Sequence, residues 1–435
     1  MYNDIIKLLN LEQFNLKILK AETVKKDNTL FCYITLEKDI CACPFCGGGQ
    51  LTIKDYRKKK IKHSISTNNP CYIIYNARRY KCKYCNSCFY EKNPFSLKYD
   101  KESVYTIYTV LRQLLNHTNT FTDVARNLNL SVPTVIKIFD KYVECRRLTL
   151  PKILCFDEFY RSKKSKEKYA FVMADFMNNK IVDVFYSRHK DKLDRYFCDI
   201  PQKERDSVEY IIIDMWDTYR DLASVRFKNA KIAVDSFHVI KHLNDAMISI
   251  RIKIMQKYNK KTSSLESNDI YYYMLKKFHY FFVKEFDDIY DRKIKINKLK
   301  TKWDKYEIRK YLLSIDEDLK YAYNLKERYR EFNLTASFDN CDEELDYLIE
   351  DFRNSHLEEF REFGELLNRW KKYIKNSFIR IDKKRLSNGP MEGINSRIKT
   401  ILKSANGIKK FFRLRNRIMY SINKNTPIKS LNKKY

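Results

Sequence analysis

Apolar and polar positions change their spacing several times along this chain, and each change marks a different kind of element. In residues 1–95, short runs at 53–56 and 72–75 predict the two strands of a hairpin. Residues 103–146 move to helical spacing. There Val124, Ala125 and Leu128 share one helix face, and Asn129 stands where a turn needs a positive φ. Ser131 is an N-cap ahead of Pro133, and Val135 and Ile138 complete a second face. A helix-turn-helix follows, with Thr134 and Lys137 pointing outward. From 152 onward the pattern turns to strands at 153–156, 169–176 and 180–186, with Met177-Asn178-Asn179 as the last turn. Runs at 208–213 and 231–234 are of the buried parallel type, with helices predicted at 190–198 and 218–227. Together these predict a mixed sheet with helices on its faces. Residues 238–378 carry helical spacing without a strand pattern. A last helix begins near Glu392, with Ile394, Ile398, Ile401 and Leu402 on one stripe. Glu392, Asn395, Ser396 and Lys399 occupy the other.

Composition narrows the function. The chain has 435 residues, enough for two or three domains, and carries 86 Lys+Arg against 55 Asp+Glu, a formal net charge of +31. A balance this basic points to a polyanion, and nucleic acid is the natural one. Abundant Lys, Asn, Ile and Tyr also fit AT-rich coding, but that bias does not explain the Arg-rich patches. A membrane is not expected as partner, because no apolar run approaches the roughly 20 residues of a spanning helix. With no signal peptide in the opening residues, a cytoplasmic, nucleoid-associated protein is expected. Only 7 glycines occur, none between 50 and 363, so no P-loop or dinucleotide fingerprint can be written.

The cysteines suggest reduced thiols and metal ligation. Cys43-Pro44-Phe45-Cys46-Gly47-Gly48 is one knuckle, and Cys82-Lys83-Tyr84-Cys85 supplies a second pair. Four thiolates suit a tetrahedral structural Zn²⁺. Cys88, Cys41, Cys71 or His63 could replace Cys85 as the fourth ligand. The run Arg57-Lys58-Lys59-Lys60-Ile61-Lys62-His63, with Arg78 and Arg79, forms a candidate phosphate-contacting face. Three acids stand out in this basic chain: Asp157 and Asp214, each ending an apolar strand-like run, and Glu392 in the first turn of its helix. Carboxylates are hard oxygen ligands that suit Mg²⁺ (or Mn²⁺) and hence chemistry on phosphate esters. A first-turn glutamate is otherwise a common helix-dipole partner. Asp235 and His238 fall near this group without an assigned step. His238 and His242 have i,i+4 spacing, Asp175 and Asp217 are possible supporting carboxylates, and Glu158 alternates to the far face of its strand. Trp216, Trp303 and Trp370 read as core.

The ordered set of Cys-Pro-x-Cys and Cys-x-x-Cys, the helix-turn-helix, Asp157-Glu158-Phe159, Asp214-Met215-Trp216, Asp235-Ser236-Phe237-His238-Val239 and Ser387-Asn388-Gly389-Pro390-Met391-Glu392-Gly393-Ile394-Asn395 spans nearly the whole chain. It resembles the DDE transposases of the ISL-three insertion-sequence family. That resemblance implies a multidomain α/β protein. Its expected parts are a zinc-binding DNA-recognition module (1–95), a helix-turn-helix domain (96–150), and an RNase H-like catalytic core (151–240 and 379–435) interrupted by an all-helical insertion (241–378). It implies Mg²⁺-dependent cleavage and strand transfer by Asp157, Asp214 and Glu392, with Zn²⁺ as structural cofactor. The expected partners are double-stranded DNA, as terminal inverted repeats and target, and a second copy of the chain as a homodimer. Ser131, Thr134 and Lys137 are expected to read the groove. Arg397, Lys399, Arg413 and Arg415, with the neighbouring lysines, are expected to hold the phosphate backbone. The competing functions are a catalytically silent zinc-finger and helix-turn-helix regulator, and a Mg²⁺ nuclease without strand transfer.

Overall fold

The computed structural model describes residues 3–12, 16–64, 69–163, 165–259, 268–404, 408–424 and 428. The chain divides into two compact units, Met1–Arg147 with Asn395–Tyr435, and Leu148–Ile394. The five parts expected from sequence thus gather into two.

The first unit opens with α1 (Asn3–Leu8) and a five-stranded sheet. Its strands are β1 (Ile18–Lys26), β2 (Thr29–Leu36), β3 (Leu51–His63), β4 (Cys71–Cys82) and β5 (Cys88–Tyr90). They lie in the order β1-β2-β4-β3 with β5 on β4, and only β2 and β4 run parallel. The runs predicted as a hairpin at 53–56 and 72–75 do fall in antiparallel partners, but Ile53 faces Tyr80 and Tyr72 faces Lys62, near opposite ends of a much longer pair. Its second half hides behind the lysines of 57–63, which look like a solvated loop in sequence. One face buries Leu9, Cys32, Ile34, Ile61, Ile73, Tyr75 and Phe95. The module therefore has an apolar core of its own and is not organised by metal alone.

His63, weighed as a zinc ligand, instead lies in that core. Its Nε2 donates to the Leu9 carbonyl at 2.8 Å, and its Nδ1 meets Ser103 Oγ at 2.8 Å. Burial, only partly offset by the Leu9 bond, lowers its pKa to about 4. The unfolded chain then binds the proton first. The contribution is fully present above about pH 6.5 and is lost as pH falls to about 4, on the order of 3 kcal/mol in total. Acid titration of Tm should show this limb, and His63→Gln should flatten it. An unchanged limb in that variant would assign it elsewhere.

Three helices follow: α2 (Val104–Leu114), α3 (Phe121–Asn127) and α4 (Val132–Tyr142). Thr120 and Asp123 form a capping box on α3, and Ser131 Oγ accepts from the Thr134 amide to start α4. Between them Asn129 takes φ 51°, the glycine-like role its position predicts. Val124, Ala125, Val135 and Ile138 are buried, while Ser131 and Lys137 are exposed.

The second unit is built on β6 (Ile153–Tyr160), β7 (Tyr169–Asp175), β8 (Lys180–Phe185), β9 (Tyr210–Ile213) and β10 (Lys231–Val234), with α5 (Lys190–Cys198), α6 (Gln202–Asp206) and α7 (Asp217–Arg226) between strands. The order is β10-β9-β6-β7-β8. The β6-β7-β8 meander is antiparallel, and β9 and β10 add parallel to β6. Phe156, Phe171, Phe197, Tyr219 and Phe227 pack edge-to-face or stacked in one cluster beneath the sheet.

Beyond the sheet come α8 (Ser236–Lys257), α9 (Asp269–Lys277), a hairpin of β11 (Ile294–Ile296) and β12 (Thr301–Trp303), then α10 (Lys305–Leu313), α11 (Glu317–Thr335), α12 (Cys341–Arg353) and α13 (Glu358–Ser377). The expectation of an all-helical insertion is thus corrected by one small hairpin. Three-residue strands turning at Lys300 (φ 54°) are too short to show a period of two. Interior cations recur here. Lys305 donates to the carbonyls of Phe286 and Ile289, Lys326 to Phe282, Arg330 to Val283 and Arg251 to Leu275. A two-residue pair, β13 (Arg380–Ile381) with β14 (Lys384–Arg385), leads to α14 (Gly389–Ser404).

The last helix, α15 (Phe411–Asn423), belongs to the first unit. Leu414, Ile418 and Tyr420 are buried there, and Arg417 donates to the carbonyls of Leu114, Asn116 and Asn119.

Candidate active site and zinc centre

The parallel register of the second unit sets the site. Cys155 of β6 pairs with Ile212 of β9, and Ile212 pairs with Ala233 of β10. Two positions further on in this register stand Asp157, inside β6, and Asp214 and Asp235, the residues just past the ends of β9 and β10. Three neighbouring strands thus deliver three carboxylates to one sheet edge at the carboxyl ends of β9 and β10, where open α/β sheets place their ligands. Hydrogen-bonded strands about 4.8 Å apart hold the three carboxylates close to one another.

Asp214 is the centre. His238 Nε2 lies 3.1 Å from its Oδ1, and Asn388 Nδ2 donates to the same oxygen at 3.0 Å and to the Phe156 carbonyl at 3.2 Å. Asp235 caps α8 through the Phe237 amide, which puts His238 in that helix's first turn. Ligand atoms of Asp214, Asp235 and His238 all lie within 4.8 Å of one another. Burial raises Asp214 to about 7; the Asn388 bond opposes this, and the charges of Asp235 and Glu158 add to it. Burial likewise raises Asp235, against the nearby His238. Carboxylates so desolvated favour a bound cation or a proton.

Asp157 sits at the end of this row, its Oδ1 accepting from the Glu158 amide at 2.7 Å. Glu392 is exposed in the first turn of α14, and its amide bonds the Asn388 carbonyl at 3.3 Å. It thus follows, by one helical turn, the residue that holds Asp214. Neither Asp157 nor Glu392 belongs to the 4.8 Å cluster.

The lesser candidates separate cleanly. Glu158 is held by Arg188 (2.7 Å) and the Tyr219 hydroxyl (2.8 Å). Asp175 caps the Met177-Asn178 turn, and Asp217 pairs with Arg220. Trp370 is core, as expected; Trp216 is half-buried and packs on Tyr219. Sequence reasoning places Asn388 within the Ser387–Asn395 motif but gives it no role. Its position directly before the helix that carries Glu392 was the available signal.

In the first unit, Cys43 Sγ is 3.6 Å from Cys85 Sγ and Cys46 Sγ is 3.6 Å from Cys82 Sγ, with all four inside 4.8 Å. Zn–S bonds of ~2.3 Å in a tetrahedron need sulfurs nearly this far apart. This selects Cys85 over Cys88, which instead pairs with Lys81 in the sheet. Gly47 turns with φ 75°, and a Cβ on Gly48 would meet the Tyr84 ring at 2.4 Å. The second knuckle has no glycine, and Asn86 (φ 56°) turns in its place. Hydrogen bonds from the Ser87 side chain and amide lower the Cys85 thiol to about 6, toward the thiolate that zinc needs.

The basic candidates differ in exposure and in partners. Lys60 and Lys62 lie 4.2 and 4.7 Å from the Tyr72 ring centre on the open face of β3–β4. Lys137, Lys399, Lys403, Lys409 and Lys410 are exposed, and Arg397 is half-buried. Arg413, by contrast, is bidentate on Asp140, and Arg415 donates to the Cys145 carbonyl at 2.6 Å. These two expected backbone contacts are spent within the protein, a pairing that nothing in the local sequence signals. A cavity of about 460 Å³ lined by Phe121, Val132, Ile136, Ile401 and Arg417 lies beside the start of α4, in the unit without the acidic row.

Among the described residues no helix is long and apolar enough to cross a membrane. None of the curated proteins matches the chain. A family model described as a transposase, that of the ISL3 family, matches residues 154–418, more than half of the chain. A second, described as the zinc-finger of transposase IS204/IS1001/IS1096/IS1165, matches residues 40–85 and so takes in all four clustered cysteines. With the acidic row inside the first match and the thiolate cluster inside the second, the chain belongs to the ISL3 family of transposases.

Proposed function

We propose that this transposase binds the terminal inverted repeats of its own insertion sequence, as a homodimer, and that Asp157, Asp214 and Glu392 form a DDE triad for cleavage and strand transfer. The observation that carries it is the row of carboxylates that the register of β6 and β9 aligns, Asp157 within β6 and Asp214 just past β9, with Glu392 one turn beyond Asn388. The order β10-β9-β6-β7-β8 supports an RNase H-like reading of the sheet. An oxygen-rich donor set in which burial has already raised Asp214 fits Mg²⁺ or Mn²⁺. Bound divalent ions supply activation of a water or 3′-hydroxyl and stabilisation of the leaving oxygen. Asn388 holds the Asp214 carboxylate in one orientation, and the lysines of α14 and the following segment hold the phosphate backbone. Purified protein with Mg²⁺ and a duplex carrying the element end should yield a nick at the repeat boundary and a joined product. Cleavage without joining would favour a nuclease, and binding without either would favour a silent regulator.

Recognition is proposed to lie in α3 and α4, used as a helix-turn-helix, with Ser131, Thr134 and Lys137 toward the major groove. Changing Thr134 and Lys137 to alanine should cost about 1–3 kcal/mol of preference for the repeat and leave random-DNA affinity in place. Changing Lys403, Lys409 and Lys410 should weaken both DNAs alike and flatten the salt slope by about 0.9 per lost contact. Salt-titrated binding to the two duplexes checks both. A reversed outcome would exchange the roles of the two regions.

A further inference from the structure

The catalytic reading assigns Asp214, with Asn388 to orient it, but leaves Asp235 and His238 without a task. Asp235 is 4% exposed and Asn388 is 3% exposed, so neither is placed to serve solvent. Both Asn388 Nδ2 bonds go to acceptors, Asp214 Oδ1 and the Phe156 carbonyl, which fixes the amide so that Oδ1 points the other way. That oxygen is buried and has no hydrogen-bond partner. What points to a cation is the donor set itself: two buried carboxylates and an imidazole nitrogen, with ligand atoms within 4.8 Å of one another, on an Asp214 that Asn388 holds in place. His238 sharpens the identity of the cation. Mg²⁺ takes oxygen ligands, whereas imidazole is a ligand of first-row transition ions.

We propose that Asp214, Asp235 and His238 form one three-donor cation site, steadied by Asn388, that takes a first-row transition ion such as Mn²⁺ in preference to Mg²⁺. The site rests on the catalytic reading only in sharing Asp214. Asp157 and Glu392 lie outside its 4.8 Å cluster and serve the other end of the reacting row. His238 contributes a ring nitrogen, so its role is specific to this position. His242, one turn further along α8, belongs to no such cluster among the described residues.

The test uses the full-length, zinc-loaded protein with Mn²⁺ and Mg²⁺ titrated separately by calorimetry, and pulsed electron paramagnetic resonance of the Mn²⁺ form. Mn²⁺ should bind at least about tenfold tighter than Mg²⁺ and show coupling to one imidazole ¹⁴N. His238→Gln should remove the coupling and bring the two affinities together. Asp235→Asn should lower both affinities, and His242→Gln should change neither. Should His238→Gln fold poorly, the nitrogen coupling in the unaltered protein still decides the matter. Absent ¹⁴N coupling there, or coupling that survives His238→Gln and disappears in His242→Gln, would overturn the proposal. Cleavage that persists in Asp157→Ala would instead overturn the catalytic reading and leave the Mn²⁺ result standing.

Discussion

Replacing Asp157, Asp214 or Glu392 with alanine is expected to lower DNA cleavage by at least about a thousandfold while leaving binding to the element end nearly unchanged. On the proposed triad, losing one carboxylate would remove a cation donor at the reacting centre and touch no phosphate contact, so gel-shift affinity should stay put while product disappears. Asp214 also carries an internal control against misfolding. Its ionised form is penalised by burial, so chelated Asp214→Asn should unfold no earlier than the unaltered protein. Glu392 is exposed, and its replacement should leave the fold intact. Single-turnover cleavage beside thermal melts decides the matter. A variant that keeps full strand transfer would remove that residue from the triad.

The second large effect concerns the thiolate cluster. Cys43→Ser or Cys82→Ser should abolish zinc content and, with it, binding to the element end. Structural zinc binds with an apparent ~10–16 kcal/mol in small zinc domains, so its loss should unfold the knuckles it ties together. The damage should nevertheless be confined. Leu51 pairs with Cys82 at the metal end of β3–β4, while Ile61, Ile73, Tyr75 and Phe95 form the core at the other. Hydrogen exchange should therefore show protection lost near the knuckles and β5 and retained around Ile61 and Ile73. Protection lost throughout the sheet would mean that the metal, not the apolar core, organises the module. Metal analysis returning no zinc from unaltered protein purified without chelator would end the assignment.

The parts of this fold legible in sequence were those in which local spacing and tertiary environment agree. The runs ending in Asp157 and Asp214 read as strands because they are buried on both faces, and Asn129 with Ser131 located the turn between α3 and α4 through backbone chemistry alone. β1 escaped notice because its exposed residues leave no alternation, and the far half of β3 because lysines occupy it. The metal-competent trio was half legible. Asp235 and His238 belonged to a recognisable segment, but that they meet Asp214 follows from strand register, which no local pattern encodes. Arg413 and Arg415 were misjudged for the same reason. Whether a guanidinium is free for phosphate depends on Asp140 and on the Cys145 carbonyl, each more than two hundred positions away.

Several of this chain's cations are largely withdrawn from solvent. Lys305, Lys326, Arg330, Arg251 and Arg417 are buried against backbone carbonyls, and a carbonyl neither titrates nor exchanges its partner for a dissolved anion. Surface lysines, by contrast, grip DNA through displaced counterions and release it as salt rises. The two populations part company at high ionic strength: a molar salt wash should strip bound nucleic acid from the protein during purification yet leave its interior clamped.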